Sequence, residues 1–175
     1  MGSHGALTVE DLEAAAAEIA AARSATDTHA VVEALAQRAL GHRLFTIMLL
    51  HEATEEVERV YSTRPDVYPV GGRKPKRGTA WGAVVIERGE VYLGRTADDI
   101  RWAFDDHPLI LRLGLESVVN VPVRFRGRPL GTMNLLHEAG WYGPDDVPTG
   151  RLLASLLVPE LLAAREPAAR PAPDL

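Results

Sequence analysis

The chain has 175 residues and a formal net charge of -5, which suits one domain burying roughly 70% of its unfolded surface. The acidic balance argues against a nucleic-acid binder, whose footprint would be basic. There is no cysteine, so disulfides, thiolate metal sites and thiol catalysis are excluded.

Met1-Gly2-Ser3-His4-Gly5 reads as an expression scar, and residues 1–7 are left out of the fold. Thr8-Val9-Glu10-Asp11 opens a helix, with a cap and early acids at its positive end. Val9, Leu12, Ala16 and Ile19 then form a narrow apolar stripe over residues 8–23. Such a stripe suits a helix–helix seam, either with the domain's own C-terminal helix or with a second copy. A homodimer through the terminal helices is the expected assembly. After a break at Ser24 to Asp27, a second helix is expected over about Thr28 to Leu40, ended by Gly41.

Leu44 to Leu50 is a continuous apolar strand, typical of a sheet centre. Val57 to Thr63 is the next strand. Pro65 to Arg77, rich in Pro and Gly, reads as a loop that holds both lysines of the chain, Lys74 and Lys76, beside Arg73 and Arg77. A solvated charge run is the plain reading. The alternative is an anion-facing flap that feeds a helix N-terminus near Thr79. No GxxxxGK[ST] spacing supports a Walker-type phosphate loop. Thr79 to Arg88 is a short helix, Val91 to Leu93 a short strand, and Ala97 to Phe104 a helix capped by Thr96. Leu109 to Leu113 adds one turn.

Val118 to Phe125 and Leu130 to Leu136 form a hairpin around Arg126-Gly127-Arg128-Pro129. With Gly127 and Arg128 as the loop, Phe125 faces Leu130, Val123 faces Thr132 and Val121 faces Asn134. The hydrophobicity barely alternates, so both faces should be covered. Asn120 and Asn134 interrupt it, and buried amides need partners. Gly140 to Pro148 is a loop, and Leu152, Leu153, Leu156, Leu157 and Leu161 describe an amphipathic C-terminal helix. Pro159 should kink that helix or begin its last segment. Residues 165–175 are expected to be disordered. The architecture is α+β. A central sheet of five or six strands, mostly antiparallel, has the terminal helices on one face, and the connecting segments Pro65 to Leu113 cover a pocket on the other.

Ser117-Val118-Val119-Asn120-Val121-Pro122-Val123, the Arg-Gly turn and Leu130-Gly131-Thr132-Met133-Asn134-Leu135 resemble the end of a GAF domain. Gly78-Thr79-Ala80-Trp81-Gly82 and the segments through Leu93 are similar to that family's middle, and the likeness spans roughly residues 27–164 within a single domain over 8–164. The resemblance implies a non-catalytic module that binds a small molecule for sensing or regulation. An interaction module with a collapsed pocket is the alternative, and an unrecognised enzyme a third. Stand-alone GAF-like folds include a free-methionine-sulfoxide reductase, but its chemistry needs thiols that this chain lacks.

Paired carboxylates at Asp98-Asp99, Asp105-Asp106 and Asp145-Asp146 read as caps and surface charge, because adjacent helical side chains do not converge. No histidine pair has metal-ligand spacing, so no metal and no cofactor is expected. Haem at His107 is the weaker alternative. A tetrapyrrole would need a cysteine. The cyclic-nucleotide signature of the family survives only as a faint echo at Phe104-Asp105-Asp106. By resemblance, the pocket-facing strand positions match Thr132, Asn134 and Leu136, with Val119, Val121 and Val123 as their partners. The covering segments contribute Trp81, Trp102, Phe104, Asp99 and Tyr68. Asn134 is the expected polar anchor. No apolar run is long enough to cross a bilayer and no signal-peptide pattern is present, so the expected setting is cytoplasmic, without membrane or nucleic-acid partners.

Overall fold

The computed structural model describes residues 5–165, so residues 1–4 of the expected scar and residues 166–175 of the expected disordered tail lie outside the described residues. Six strands pair in one antiparallel sheet, in the spatial order β3-β2-β1-β6-β5-β4. In chain order they are β1 (Leu44–His51), β2 (Glu56–Ser62), β3 (Arg73–Pro75), β4 (Tyr92–Gly94), β5 (Ser117–Phe125) and β6 (Arg128–His137). The helices are α1 (Val9–Ala21), α2 (Ala25–Ala39), α3 (Ala80–Gly82), α4 (Ala97–Ala103), α5 (His107–Arg112), α6 (Val147–Ser155) and α7 (Val158–Arg165). A π-helical turn, Ala83–Glu87, extends α3.

The main core lies between one sheet face and the terminal helices. Phe45, Ile47, Val119, Val121, Met133 and Leu135 meet Val32, Leu35, Ala36, Leu153, Leu157 and Leu161 there. Period two along the strands sends alternate side chains to opposite faces. β1, β5 and β6 are nevertheless apolar on both, because the segments from Val67 to Leu115 build a second cluster around Tyr68, Ile100, Ile110, Val118 and Leu136. That double cover is why the hairpin's hydrophobicity does not alternate.

Thr8 caps α1 in a reciprocal box with Asp11, and Ala15 and Ile19 pack into the helix-side core, whereas Ala16 of the expected stripe is exposed. Ser24, expected as part of a break, instead accepts from Asp27 N and caps α2, which starts at Ala25, three residues before the expected Thr28. The C-terminal helix is divided near Pro159 into α6 and α7, bent by 49°. No single helix among the described residues is long and apolar enough to cross a membrane.

Two strand details differ from expectation. The hairpin turns on Arg126 and Gly127, both at positive φ, the geometry that matches strand twist in a two-residue loop. A register shift between Val123 and Arg124 moves the pairing, so Asn120 faces Asn134 and Val121 faces Met133. Inside the basic Pro65 to Arg77 loop, Arg73–Pro75 pairs with Glu56 to Glu58 as an edge strand. Gly131 permits the tight β1–β6 approach, since a Cβ there would sit 1.9 Å from the Met48 carbonyl oxygen.

Candidate functional site: a covered cavity on the second sheet face

The second face of the sheet carries a polar row through an apolar field. Thr46, Asn134 and Asn120 are neighbours across β1, β6 and β5, and each is at most 5% exposed. Trp81, brought over the row by α3, donates its indole Nε1–H to Asn120 Oδ1 at 2.9 Å. Asn120 Nδ2 donates to Asn134 Oδ1 at 2.8 Å. Asn134 Nδ2 then reaches Thr46 Oγ1 at 3.2 Å and the Thr46 carbonyl at 3.4 Å. An indole only donates and a backbone carbonyl only accepts, so the two ends fix the orientation of both amides.

Next to this row, sheet and cover enclose a cavity of about 50 Å³. Leu44, Met48, Thr132 and Leu136 form its floor beside the row, with Val57 and Arg59 of β2 at one side. Phe104, Ile110 and Trp81 roof it, and Tyr68, Lys74, Lys76 and Asp106 complete the wall. The floor is mainly apolar and the β2–β3 side is charged. A β-bulge between Arg59 and Tyr61, opposite Ile47 and Met48, re-aims β2. Val57 and Arg59 line the cavity, whereas Tyr61 packs with Phe45 in the helix-side core. Bulges of this kind recur where a sheet presents side chains to a site.

The charged groups are connected. Asp106 accepts from Tyr68 Oη at 3.2 Å and from Lys74 Nζ at 2.9 Å. Burial alone would raise its carboxyl, but the Lys74 hydrogen bond and charge outweigh burial and hold it below the ordinary value. Burial, and then the Asp106 charge, raise the Tyr68 phenol. Arg59 is only 7% exposed. It donates from Nη1 to the Pro69 carbonyl at 3.0 Å and stacks 4.8 Å from the Tyr68 ring centre. Lys76 stands over the Trp81 ring at 4.8 Å, and burial followed by Lys74 repulsion lowers its ammonium pKa.

Six of the residues expected to contact a ligand line this cavity: Asn134, Thr132, Leu136, Trp81, Phe104 and Tyr68. Four do not. Val119 and Val121 sit in the helix-side core, because the register shift makes Asn120, not its neighbours, share a face with Asn134. Trp102 is 49% exposed and stacks on Tyr92 instead. Asp99 is occupied as the capping carboxylate of α4, accepting from Arg95 N, Thr96 N and Thr96 Oγ1. Those bonds, led by Arg95 N, lower its pKa. Asn134 is not an unsatisfied anchor, since both ends of its amide already have partners.

The charged members were missed. The run Glu56 to Ser62 reads as an ordinary half-exposed strand, so Arg59 looks like a surface residue. Lys74 and Lys76 face inward only because residues 73–75 pair with β2, and the plain solvated-loop reading is corrected for both. Asp106, read as surface charge, is a wall residue. The available signal was that both lysines of the chain fall within three positions of each other, beside a Gly-Thr-Ala-Trp helix start.

The GAF domain family model matches residues 25–158, most of the chain and all six strands. This chain belongs to the GAF domain family. Among solved structures, it is similar to the GAF domain of a phosphoenolpyruvate-protein phosphotransferase from Coxiella burnetii. Identity is 18% and the TM-score 0.73, over 90% of this chain and 94% of that one. The GAF domain of the Acinetobacter phosphoenolpyruvate-protein phosphotransferase is 17% identical, with TM-score 0.72 over 92% and 97%. Free methionine-R-sulfoxide reductase from Neisseria meningitidis, solved with its substrate, is 17% identical, with TM-score 0.63 over 94% and 97%. At these identities the likeness establishes the fold alone. No curated protein matches by sequence.

Proposed function

We propose that this GAF domain is a sensing or regulatory module that holds a small molecule in the covered cavity and performs no catalysis of its own. The observation that carries this reading is the convergence of Arg59, Lys76 and Thr132 from sheet and cover on one largely apolar cavity. A few polar groups set in an apolar wall are the usual makeup of a small-molecule site. The absence of any thiol argues against the sulfoxide chemistry named for the Neisseria structure. Output passes to a partner, and a homodimer through the terminal helices is part of the proposal. In its support, Val9 on α1 is 82% exposed, and small residues such as Ala14 and Ala34 line a shallow groove between α1 and α2.

A second reading has one specific observation in its favour. At about 50 Å³ the cavity is well under the roughly 300 Å³ of an ordinary ligand pocket, as in an interaction module whose pocket has collapsed. Native mass spectrometry of the purified protein, followed by thermal melts across a metabolite library, separates the two. A retained small molecule or a ligand-dependent rise in melting temperature supports sensing. Their absence leaves the interaction module.

A further inference from the structure

The amide row is not the unsatisfied part of the lining, because Trp81, Asn120, Asn134 and Thr46 already bond one another. The unsatisfied groups lie elsewhere on the same wall. Five buried side-chain atoms among the described residues have no hydrogen-bond partner, and two of them, Arg59 Nε and Thr132 Oγ1, belong to residues that line this cavity. Both residues are more than nine-tenths buried. The lining also holds three cations, Arg59, Lys74 and Lys76, against one carboxylate, Asp106. Asp106 is committed to Lys74. Neither Arg59 nor Lys76 forms an ion pair with a carboxylate among the described residues. A chain of net charge -5 thus directs both its lysines and a buried arginine into one cavity.

Burying a cation without a counter-charge is costly unless something compensates it. A guanidinium presents donors in a fork that matches a planar carboxylate, with an ammonium and a hydroxyl able to take the remaining lone pairs. The rest of the lining includes Leu44 and Leu136 of the floor and Phe104 and Ile110 of the roof, which suits a short apolar tail and disfavours a tetrahedral oxyanion polar on every side. The volume admits only a small guest. We infer that the cavity takes a short-chain carboxylate, its oxygens held by Arg59, Lys76 and Thr132 and its tail against the aliphatic floor. This inference rests on the cavity being the ligand site, and it names the class of ligand.

The test is a titration of the isotope-labelled protein with acetate, propionate, propionamide and inorganic phosphate at matched ionic strength, following the Trp81 indole N–H and the melting temperature. Saturable shifts and a raised melting temperature with acetate or propionate, but not with propionamide, are expected. Lys76→Gln and Thr132→Val should each weaken propionate binding at least tenfold while keeping the wild-type amide spectrum elsewhere. They are chosen over Arg59 because loss of a buried guanidinium risks the fold. Equal binding of propionamide, tighter binding of phosphate, or propionate binding unchanged in Lys76→Gln would each overturn the carboxylate assignment and leave the ligand-site reading standing. No response to any of the four probes also overturns it. If a broad neutral and zwitterionic library is silent too, the ligand-site reading itself fails.

Discussion

Replacing Asn134 by Leu should destabilise the domain, although it puts an apolar residue into an apolar strand. The substitution removes Oδ1, which accepts from Asn120 Nδ2 at 2.8 Å, and Asn120 is 1% exposed. Stranding a buried donor costs roughly 1–3 kcal/mol. The added apolar surface returns part of that, and the adjoining cavity of about 50 Å³ takes up the extra bulk. The net expectation is a loss of about 2 kcal/mol, read as a melting temperature about 4–8 °C lower for a domain of this size. Asn120→Leu should cost at least as much, because it strands Trp81 Nε1 as well as the Asn134 oxygen. The double variant removes both ends of the amide–amide bond together, so its loss should fall short of the sum by about 1 kcal/mol. Urea unfolding of the four proteins gives the cycle. Single variants within about 0.5 kcal/mol of wild type, or strictly additive losses, would refute the claim that the row is a coupled structural unit.

Three further expectations follow from particular contacts. His42 has a side chain 5% exposed, with Nε2 2.8 Å from Glu33 Oε1 but not aligned as a hydrogen bond, and burial lowers its pKa from 6.5 to about 4. With the folded value depressed, the unfolded chain binds the extra proton, so this contribution is intact above the unfolded pKa and is lost as pH falls toward the folded one. It amounts to about 2 kcal/mol by about pH 5, and His42→Gln should show a smaller drop between about pH 7 and about pH 5; an equal drop would contradict the assignment. Gly131→Ala should cost on the order of 3 kcal/mol or more because its Cβ would meet the Met48 carbonyl, and an unchanged urea midpoint would contradict the close approach. If the α1–α2 groove pairs two copies, Ala34→Glu, at an exposed helix position, should give a monomer of unchanged melting temperature by light scattering; a wild type already monomeric at high micromolar concentration would end that proposal.

The sheet and its double cover were legible because both faces of β1, β5 and β6 must be apolar, and a run without alternation records that directly. Capping was equally plain at Thr8 and Thr96, where the box residues lie three positions apart. The register was not. It depends on the shift between Val123 and Arg124, and one such irregularity moves every later side chain to the opposite face. That is why Val119 and Val121 were assigned to the wrong side while Thr132 and Leu136 were not. The charged wall escaped for a different reason. Lys74 is placed by pairing with Val57, a contact between segments whose local sequence reads as loop and half-exposed strand, and Arg59 is re-aimed by a bulge. Trp102 and Asp99 lie on the covering segments, as expected, but do not line the cavity. The aromatic ring finds Tyr92 on the surface, and the acid is consumed by its own helix cap.

The central claim is that the covered cavity receives a small molecule. Trp81 Nε1–H and the side-chain amides of Asn120 and Asn134 report on it directly, since all three line it and none has a reason to respond to binding elsewhere. Nuclear magnetic resonance of the labelled protein across a library of small metabolites, carboxylates included, should shift these three signals together and saturably, with the signals of α1 and α2 unmoved. Shifts confined to the helices, or a cavity silent to every compound while the protein stays folded, would contradict the account.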